Sequence, residues 1–281
     1  MALEKTGDIL RYAFKEGYGV AATNIFNYET IKLSIEKAED LQKPVIIGFY
    51  PGWKTYIALD EVAAITKACA SKVKVPVGLH LDHSTDYAEI LQAMMAGFSS
   101  VMYDGSALPF DENVKNTAEV VKAAKGLGID VEAELGRVGS AANASDFEDS
   151  AKFTSSEDAK LFVERTECNS LAVAVGNAHG NYVTLPNLDI PRIKAIKDAI
   201  QIPIVLHGGS GIPDEQVQEA VKAGIAKMNV ATEYHNAYYK AVMKYDSLEG
   251  KPKDMYFCSN NIREDVLAFL EYKINLLNPK K

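Results

Sequence analysis

Positive charge is in short supply in this chain: 30 Lys and Arg stand against 38 Asp and Glu, a formal net charge of −8. That balance excludes broad, non-specific nucleic-acid binding but not a local cationic site for a small anion. Cysteine is scarce as well. Cys69, Cys168 and Cys258 are odd in number, far apart and never in CxxC spacing. A disulfide framework is therefore excluded, and the three read as reduced thiols of a cytoplasmic protein. No apolar run approaches the ~18 residues of a membrane span. The N-terminus MALEKTGDIL has no apolar stretch of signal-peptide type, so no membrane partner is expected. The composition does not break anywhere along residues 1–281, which read as a single domain. At 47% hydrophobic residues, it can bury a sizeable core without staples.

What the sequence has in quantity is alternation. Short apolar runs, each ending in polar residues, are separated by segments of helical period. Strand-like runs are Gly19–Thr23, Pro44–Gly48, Val75–Leu81, Ser99–Tyr103, Ile129–Glu134, Ser170–Val175, Pro203–His207 and Ala226–Val230. Helical patterns cover Ile9–Lys15, Tyr28–Leu41, Asp60–Ser71 with Asp60 as N-cap, Asp86–Ala96, Glu112–Lys125, Ser156–Thr166, Pro191–Ile200, Asp214–Ala223, Glu233–Tyr245 and Arg263–Leu276. The polar stretch Gly139–Lys152 reads as a mobile loop, and the last two helices as joined by a linker containing Lys and Pro. Eight strand–helix units predict a closed (β/α)8 TIM barrel with extra terminal helices. An open doubly wound sheet is the rival, weakened because no GxGxxG follows the first strand.

The polar residues at the strand ends carry the chemistry. They include Asn24, Asp82, His83, Asp104, Glu134, His179, His207 and Asn229. In a barrel all of them face one mouth. Three of the five histidines are among them, and three neutral imidazoles around an open position suit Zn²⁺. Asp104 and Glu134 would bind a second or alternate metal position, or orient the histidines. His80 reads as structural or supporting, and His235 as surface. Phosphate is expected in the loops after strands seven and eight: Gly208, Gly209, Ser210 and Gly211, then Asn229, Val230, Ala231 and Thr232. Gly180 adds an exposed amide beside His179. Metal, phosphate and a carboxylate together point to a Lewis-acid lyase. The metal would polarise the carbonyl of a ketose phosphate and stabilise the enediolate formed on carbon–carbon cleavage, while Asp82 relays the hydroxyl proton. No lysine lies in strand six, and Lys227 starts strand eight, so a Schiff-base mechanism is poorly supported.

At these residues the sequence resembles the class II, metal-dependent fructose- and tagatose-bisphosphate aldolases, with the tagatose branch closest in length and wording. The matching pieces are HLDHS (His80–Ser84), DGSALPFDENV (Asp104–Val114), EAELGRVG (Glu132–Gly139), SLAVAVGNAHGNY (Ser170–Tyr182), LHGGSGIP (Leu206–Pro213) and NVATE (Asn229–Glu233). The resemblance implies catalytic zinc on His83, His179 and His207, and Asp82 as the proton donor for the aldehyde-side hydroxyl. It implies dihydroxyacetone phosphate held by Gly180, Gly208 to Ser210 and Asn229 to Thr232. It also implies Na⁺ or K⁺ near the phosphate loops, and a homodimer or homotetramer.

Three positions depart from the family pattern. The loop glutamate that removes a proton from dihydroxyacetone phosphate corresponds to Ala142, with Asp146, Glu148 and Asp149 as nearby substitutes. The arginine for the distal phosphate corresponds to Asn260, with Arg263 one helical turn away. The turn after strand two, Phe49-Tyr50-Pro51-Gly52-Trp53, replaces a small hydroxyl-bearing residue with aromatics. The expected substrate is a ketose (bis)phosphate, with fructose and tagatose 1,6-bisphosphate as the default. The three departures motivate the hypothesis of a related ketose 1-phosphate whose far end differs from that of the bisphosphate sugars. Two rivals remain: a non-catalytic sugar-phosphate binder that lost its base, and a metal-dependent hydrolase. The latter often carries an HxH on its first strand, which Thr23-Asn24-Ile25-Phe26 lacks.

Overall fold

The computed structural model describes residues 3–278. Eight parallel strands close into a barrel in sequence order: β1 (Val20–Asn24), β2 (Val45–Phe49), β3 (Val77–Ser84), β4 (Ser100–Tyr103), β5 (Asp130–Leu135), β6 (Ser170–Val173), β7 (Ile204–Leu206) and β8 (Ile225–Val230). The barrel closes by pairing β1 with β8, Ala22 opposite Asn229. The helices are α1 (Thr6–Glu16), α2 (Tyr28–Leu41), α3 (Leu59–Ala70), α4 (Tyr87–Ala96), α5 (Phe110–Leu127), α6 (Ser156–Thr166), α7 (Ile190–Ile200), α8 (Asp214–Ala223), α9 (Thr232–Asp246), α10 (Met255–Asn261) and α11 (Arg263–Leu276). This is the (β/α)8 barrel expected from the alternation. None of the described helices is long and apolar enough to cross a membrane.

The strands are buried on both faces, as parallel strands under a coat of helices must be. Ile47, Leu79, Val101, Ala133 and Leu171 are fully or nearly fully buried and belong to one continuous apolar cluster with the inner faces of the helices. Local signals set the element ends. Asn27 caps α2 by accepting from the Thr30 amide, and the Thr30 hydroxyl accepts the Asn27 amide in return. Gly97 and Gly128 end α4 and α5 in the left-handed region that glycine tolerates.

The structure corrects several sequence expectations. Asp60 is not the cap of α3. The helix begins at Leu59 after Ala58, and the Glu61 carboxylate reaches back to the Ala58 amide at 2.8 Å. The linker before α11 holds a further helix, α10, capped by Asp254, whose side chain accepts from the Phe257 amide. A seven-residue helix is too short for a periodic signal to declare it. The Gly139–Lys152 segment is a loop, as expected, but one with local structure. It forms two short 3₁₀ turns, Ala144–Asp146 and Ser150–Lys152, and buries Ala141 and Phe147 against Ala178 and Tyr182. Two backbone bonds, from the His179 amide to Gly139 and from the Ala141 amide to His179, stitch it to the loop after β6.

Candidate metal and phosphate site

A cavity of about 560 Å³ opens at the C-terminal ends of the strands, where barrels of this type place their chemistry. It is lined by Asn24, Asp82, His83, Asp104, Glu134, His179, Gly180, Gly208, Gly209, Ser210, Asn229, Ala231 and Thr232 among the sequence-assigned residues. His207 lies fully buried behind His83, their ring centroids 4.4 Å apart. Val230 does not line the cavity. Its side chain is buried in the core and its backbone pairs with Thr23 of β1, so the even spacing of β8 turns Asn229 inward and Val230 away.

The end of β3 explains how two neighbouring residues share one mouth. Alternation along a strand would send Asp82 and His83 to opposite faces. His83, however, has φ of 52°, and the pairing of β3 with β4 shifts register between Leu81 and Ser84. Left-handed backbone at a histidine is costly, and such strain collects at functional sites. Here it turns the imidazole back over the cavity beside Asp82.

The nitrogens of His83, His179 and His207 lie within 4.8 Å of one another. The Nε2 of His83 and the Nδ1 of His207 approach to 2.7 Å, a separation one proton bridges. The Nε2 of His179 is buried and has no hydrogen-bond partner. A buried nitrogen without a partner, on a ring that packs against both His83 and His207, is what a coordinating ion would satisfy. The donor set therefore fits zinc. His83 Nδ1 and Asp104 Oδ2 are 2.8 Å apart, and Asp104 Oδ1 accepts from the Ser106 amide and hydroxyl. Glu134 Oε2 lies 3.9 Å from His83 Nδ1 and 3.5 Å from His207 Nδ1 and has no hydrogen-bond partner. His83, Asp104 and Glu134 thus form a second, overlapping cluster that could hold an ion.

Burial and neighbouring charge set the protonation states. Burial, reinforced by the charges of His83 and His207, lowers the His179 pKa to about 3, so its imidazole is neutral. Burial, with the Asp104 charge, raises Glu134 to about 8. Burial would also raise Asp82, but the charges of His83, His207 and Lys227 outweigh it and hold the carboxylate well below the usual range. Asp82 is 3% exposed; Asn24 Nδ2 donates to its Oδ2 at 2.7 Å and Asn229 Nδ2 to its Oδ1 at 2.9 Å.

A buried layer beneath the histidines escaped the sequence reading. Lys227 Nζ lies 2.9 Å from both oxygens of Glu132, and the same carboxylate takes the His207 Nε2 proton at 2.9 Å. Glu132 thereby fixes the His207 tautomer and leaves Nδ1 free as a ligand. His80 belongs to this layer, with Nδ1 2.7 Å from the Ser100 hydroxyl. The available signal was the period of two: Glu132 and Glu134 share one face of β5. His235 is also more than a surface residue. Its Nε2 donates to the Asn24 carbonyl at 2.9 Å, and its ring packs on Phe26 and Trp53.

The loops after β7 and β8, the candidate phosphate loops, are tight for steric reasons. Gly208 has φ of +61°, and a Cβ there would meet the Ala178 carbonyl oxygen at 2.0 Å; one at Gly209 would meet Met228 at 2.6 Å. Ser210 Oγ accepts from the Glu233 amide in the first turn of α9. The cavity therefore touches a glycine turn and the start of a 15-residue helix at adjoining strand ends, an arrangement suited to an anion.

Two proposed base substitutes point elsewhere. Glu148 accepts from the Thr184 hydroxyl, and Asp149 caps Ala151; neither lines the cavity. The side chain of Asp146 lies outside the described residues. Asn260 bonds the Tyr256 carbonyl and Arg263 pairs with Glu36, both away from the cavity lining. In the aromatic turn, Phe49 is buried in the core while Tyr50 and Trp53 wall the mouth.

The chain matches the family model described as fructose-bisphosphate aldolase class-II over residues 4–281. Among solved structures it is similar to the YdjI aldolase of Escherichia coli K12, at 34% identity and a TM-score of 0.88, covering 99% of this chain and 97% of that one. It is also similar to a putative fructose-1,6-bisphosphate aldolase of Coccidioides immitis, at 28% identity and a TM-score of 0.86, covering 98% and 96%. A third is the fructose-bisphosphate aldolase of Campylobacter jejuni, at 26% identity and a TM-score of 0.83, covering 99% and 96%. With the family model matched along nearly its whole length, this chain belongs to the class II fructose-bisphosphate aldolase family.

Proposed function

We propose that this protein is a zinc-dependent lyase that cleaves a ketose 1-phosphate to dihydroxyacetone phosphate and an aldehyde. The observation that carries the reading is the convergence of three histidine nitrogens, an ionised Asp82 and the glycine cradle in one cavity. His83, His179 and His207 would hold the ion. When bound, Zn²⁺ supplies Lewis-acid stabilisation of the negative charge that develops on the C2 oxygen as the C3–C4 bond breaks.

The rest is the work of the chain's own groups. The backbone amides of Gly180, Gly208 and Gly209 and the Ser210 and Thr232 hydroxyls bind the 1-phosphate and fix where C4 lies. Asp82 takes the proton of the C4 hydroxyl, whose oxygen becomes the aldehyde carbonyl. The C3–C4 electron pair stays with the three-carbon half, which takes up one proton at C3 from water, and Asp82 returns its proton to water before the next turnover. Asn24 and Asn229 aim the carboxylate while leaving one lone pair on each oxygen for this transfer. Glu132 keeps the His207 proton on Nε2. Na⁺ or K⁺ beside the phosphate loops and a homodimer or homotetramer complete the proposal, with the cytoplasm as its setting.

A second reading is a metal and sugar-phosphate binder without turnover. It is favoured by Ala142, which carries no titratable group where the family pattern has its loop base. A panel of fructose 1,6-bisphosphate, tagatose 1,6-bisphosphate and several ketose 1-phosphates, assayed for released dihydroxyacetone phosphate, separates the two. Turnover of at least one ketose 1-phosphate is expected. Saturable binding with no release from any of them would favour the binder. Clearly better turnover of fructose 1,6-bisphosphate than of every monophosphate would sink the altered far end.

A further inference from the structure

We propose that Arg137 is a specificity residue that receives an anionic group on the far end of the sugar, opposite the 1-phosphate. The proposal rests on the reading above, in which the loops after β6 to β8 hold that phosphate. With the 1-phosphate there and the bond to be broken beside Asp82, the remaining carbons extend toward the loops after β2 to β5. Those loops contribute Tyr50, Trp53, Thr85, Ser106 and Arg137 to the cavity.

Arg137 is the one Lys or Arg among the described residues lining the cavity, which otherwise carries the acidic Asp82, Asp104 and Glu134. It also differs from the other four arginines of the chain. Arg11 pairs with Asp8, Arg165 with Asp111, Arg192 with Asp189 and Arg263 with Glu36. Arg137 has no ion pair or hydrogen bond among the described residues, and it is exposed. Its backbone, by contrast, is pinned. On one side Gly136 has φ of +77°, and a Cβ there would meet Thr154 Oγ1 at 2.5 Å. On the other side Val138 is buried, and its amide donates to Glu134 Oε1 at 3.3 Å. An unpaired guanidinium on a fixed stem at the rim of an otherwise acidic pocket is a fork for a carboxylate or a phosphate. Asn260, at the position of the family's distal-phosphate arginine, and Arg263, its candidate substitute, do not line this cavity.

The test compares three substrates on the zinc-loaded full chain: fructose 1-phosphate with a neutral far end, fructose 1,6-bisphosphate, and a ketose 1-phosphate oxidised to a carboxylate at its last carbon. At least one anionic-ended substrate is expected to exceed fructose 1-phosphate in kcat/KM, and whichever does so identifies phosphate or carboxylate as the group read. In Arg137→Met that ratio should collapse roughly 10- to 100-fold, the range for losing a charge-assisted hydrogen bond. Arg137→Lys should restore part of it, since the charge remains but the fork is lost. A ratio unchanged in Arg137→Met overturns the proposal, as does a wild-type preference for the neutral end. The single tryptophan of the chain, Trp53, lines the same cavity, so its fluorescence reports binding even without turnover. Absence of turnover from all three would count against the lyase reading. Trp53 titrations with the same ligands would still decide the role of Arg137 by whether anionic-ended ligands lose their binding advantage in Arg137→Met.

Discussion

Asp82→Ala should lower turnover by roughly 10²- to 10⁴-fold, the span for removing a positioned proton acceptor, while zinc content stays at the wild-type level. The carboxylate lies at hydrogen-bond distance from Asn24 and Asn229, and the three-histidine cluster does not include it. Its removal therefore takes away the proton acceptor without subtracting one of those ligands. Alanine also strands two buried amide donors at about 1–3 kcal/mol each, so stability falls too. Asp82→Asn separates the effects, because it keeps the volume and cannot accept the proton. Both variants should lose kcat far more than they raise KM. Metal analysis and steady-state kinetics on the two proteins check this. Near-normal kcat in Asp82→Asn would remove Asp82 from the reaction.

Lys227→Met should be the most destabilising single change around the site. The ammonium is fully buried and spans both oxygens of Glu132. Without it a buried carboxylate loses its counter-charge, a loss of about 3–5 kcal/mol. The sign of the accompanying proton shift follows from what holds Glu132 now. Burial works to raise its pKa, and the Lys227 charge, followed by those of His80 and His207, outweighs it. Removing Lys227 lets burial win, so Glu132 gains a proton at higher pH than before. A protonated Glu132 can donate to His207 Nε2 instead of accepting from it, which moves the ring proton to Nδ1, the nitrogen facing His83. Zinc affinity should then drop about 10- to 100-fold, as when a group supporting a ligand is lost. Adding Glu132→Gln to Lys227→Met should recover a large part of the stability, because no charge is left to strand. Urea unfolding and chelator competition measure the two quantities. A Lys227→Met protein within about 0.5 kcal/mol of wild type would contradict the role assigned to this layer.

The barrel and its mouth were legible in the sequence because the polar strand ends interrupt apolar runs at regular intervals. His83, His207 and Asp104 announce themselves this way. Glu132 and Lys227 do not. They sit within strands, where a charged residue in a sequence reads as an interruption, and only the closed barrel reveals that β5 and β8 place them against each other. His235 was misjudged for a related reason: its partner, the Asn24 carbonyl, is 211 residues away. The packing of the Gly139–Lys152 loop is hidden in the sequence because its composition is polar. Two apolar residues, Ala141 and Phe147, suffice to pack it once Ala178 and Tyr182 come near. Arg137 lies inside the EAELGRVG motif with no mark of its own. Nothing in the order of residues says that the other four arginines find carboxylates and this one does not.

The most direct test of the proposed lyase is removal and return of the metal. Protein stripped by chelator would be titrated with Zn²⁺ while dihydroxyacetone phosphate release from the best ketose 1-phosphate of the panel is followed. The expected result is no release from the stripped protein, and recovery that saturates at one ion per chain on the His83, His179 and His207 cluster. Undiminished release from protein shown to hold no metal would contradict the proposal that these three histidines serve the reaction through a bound ion.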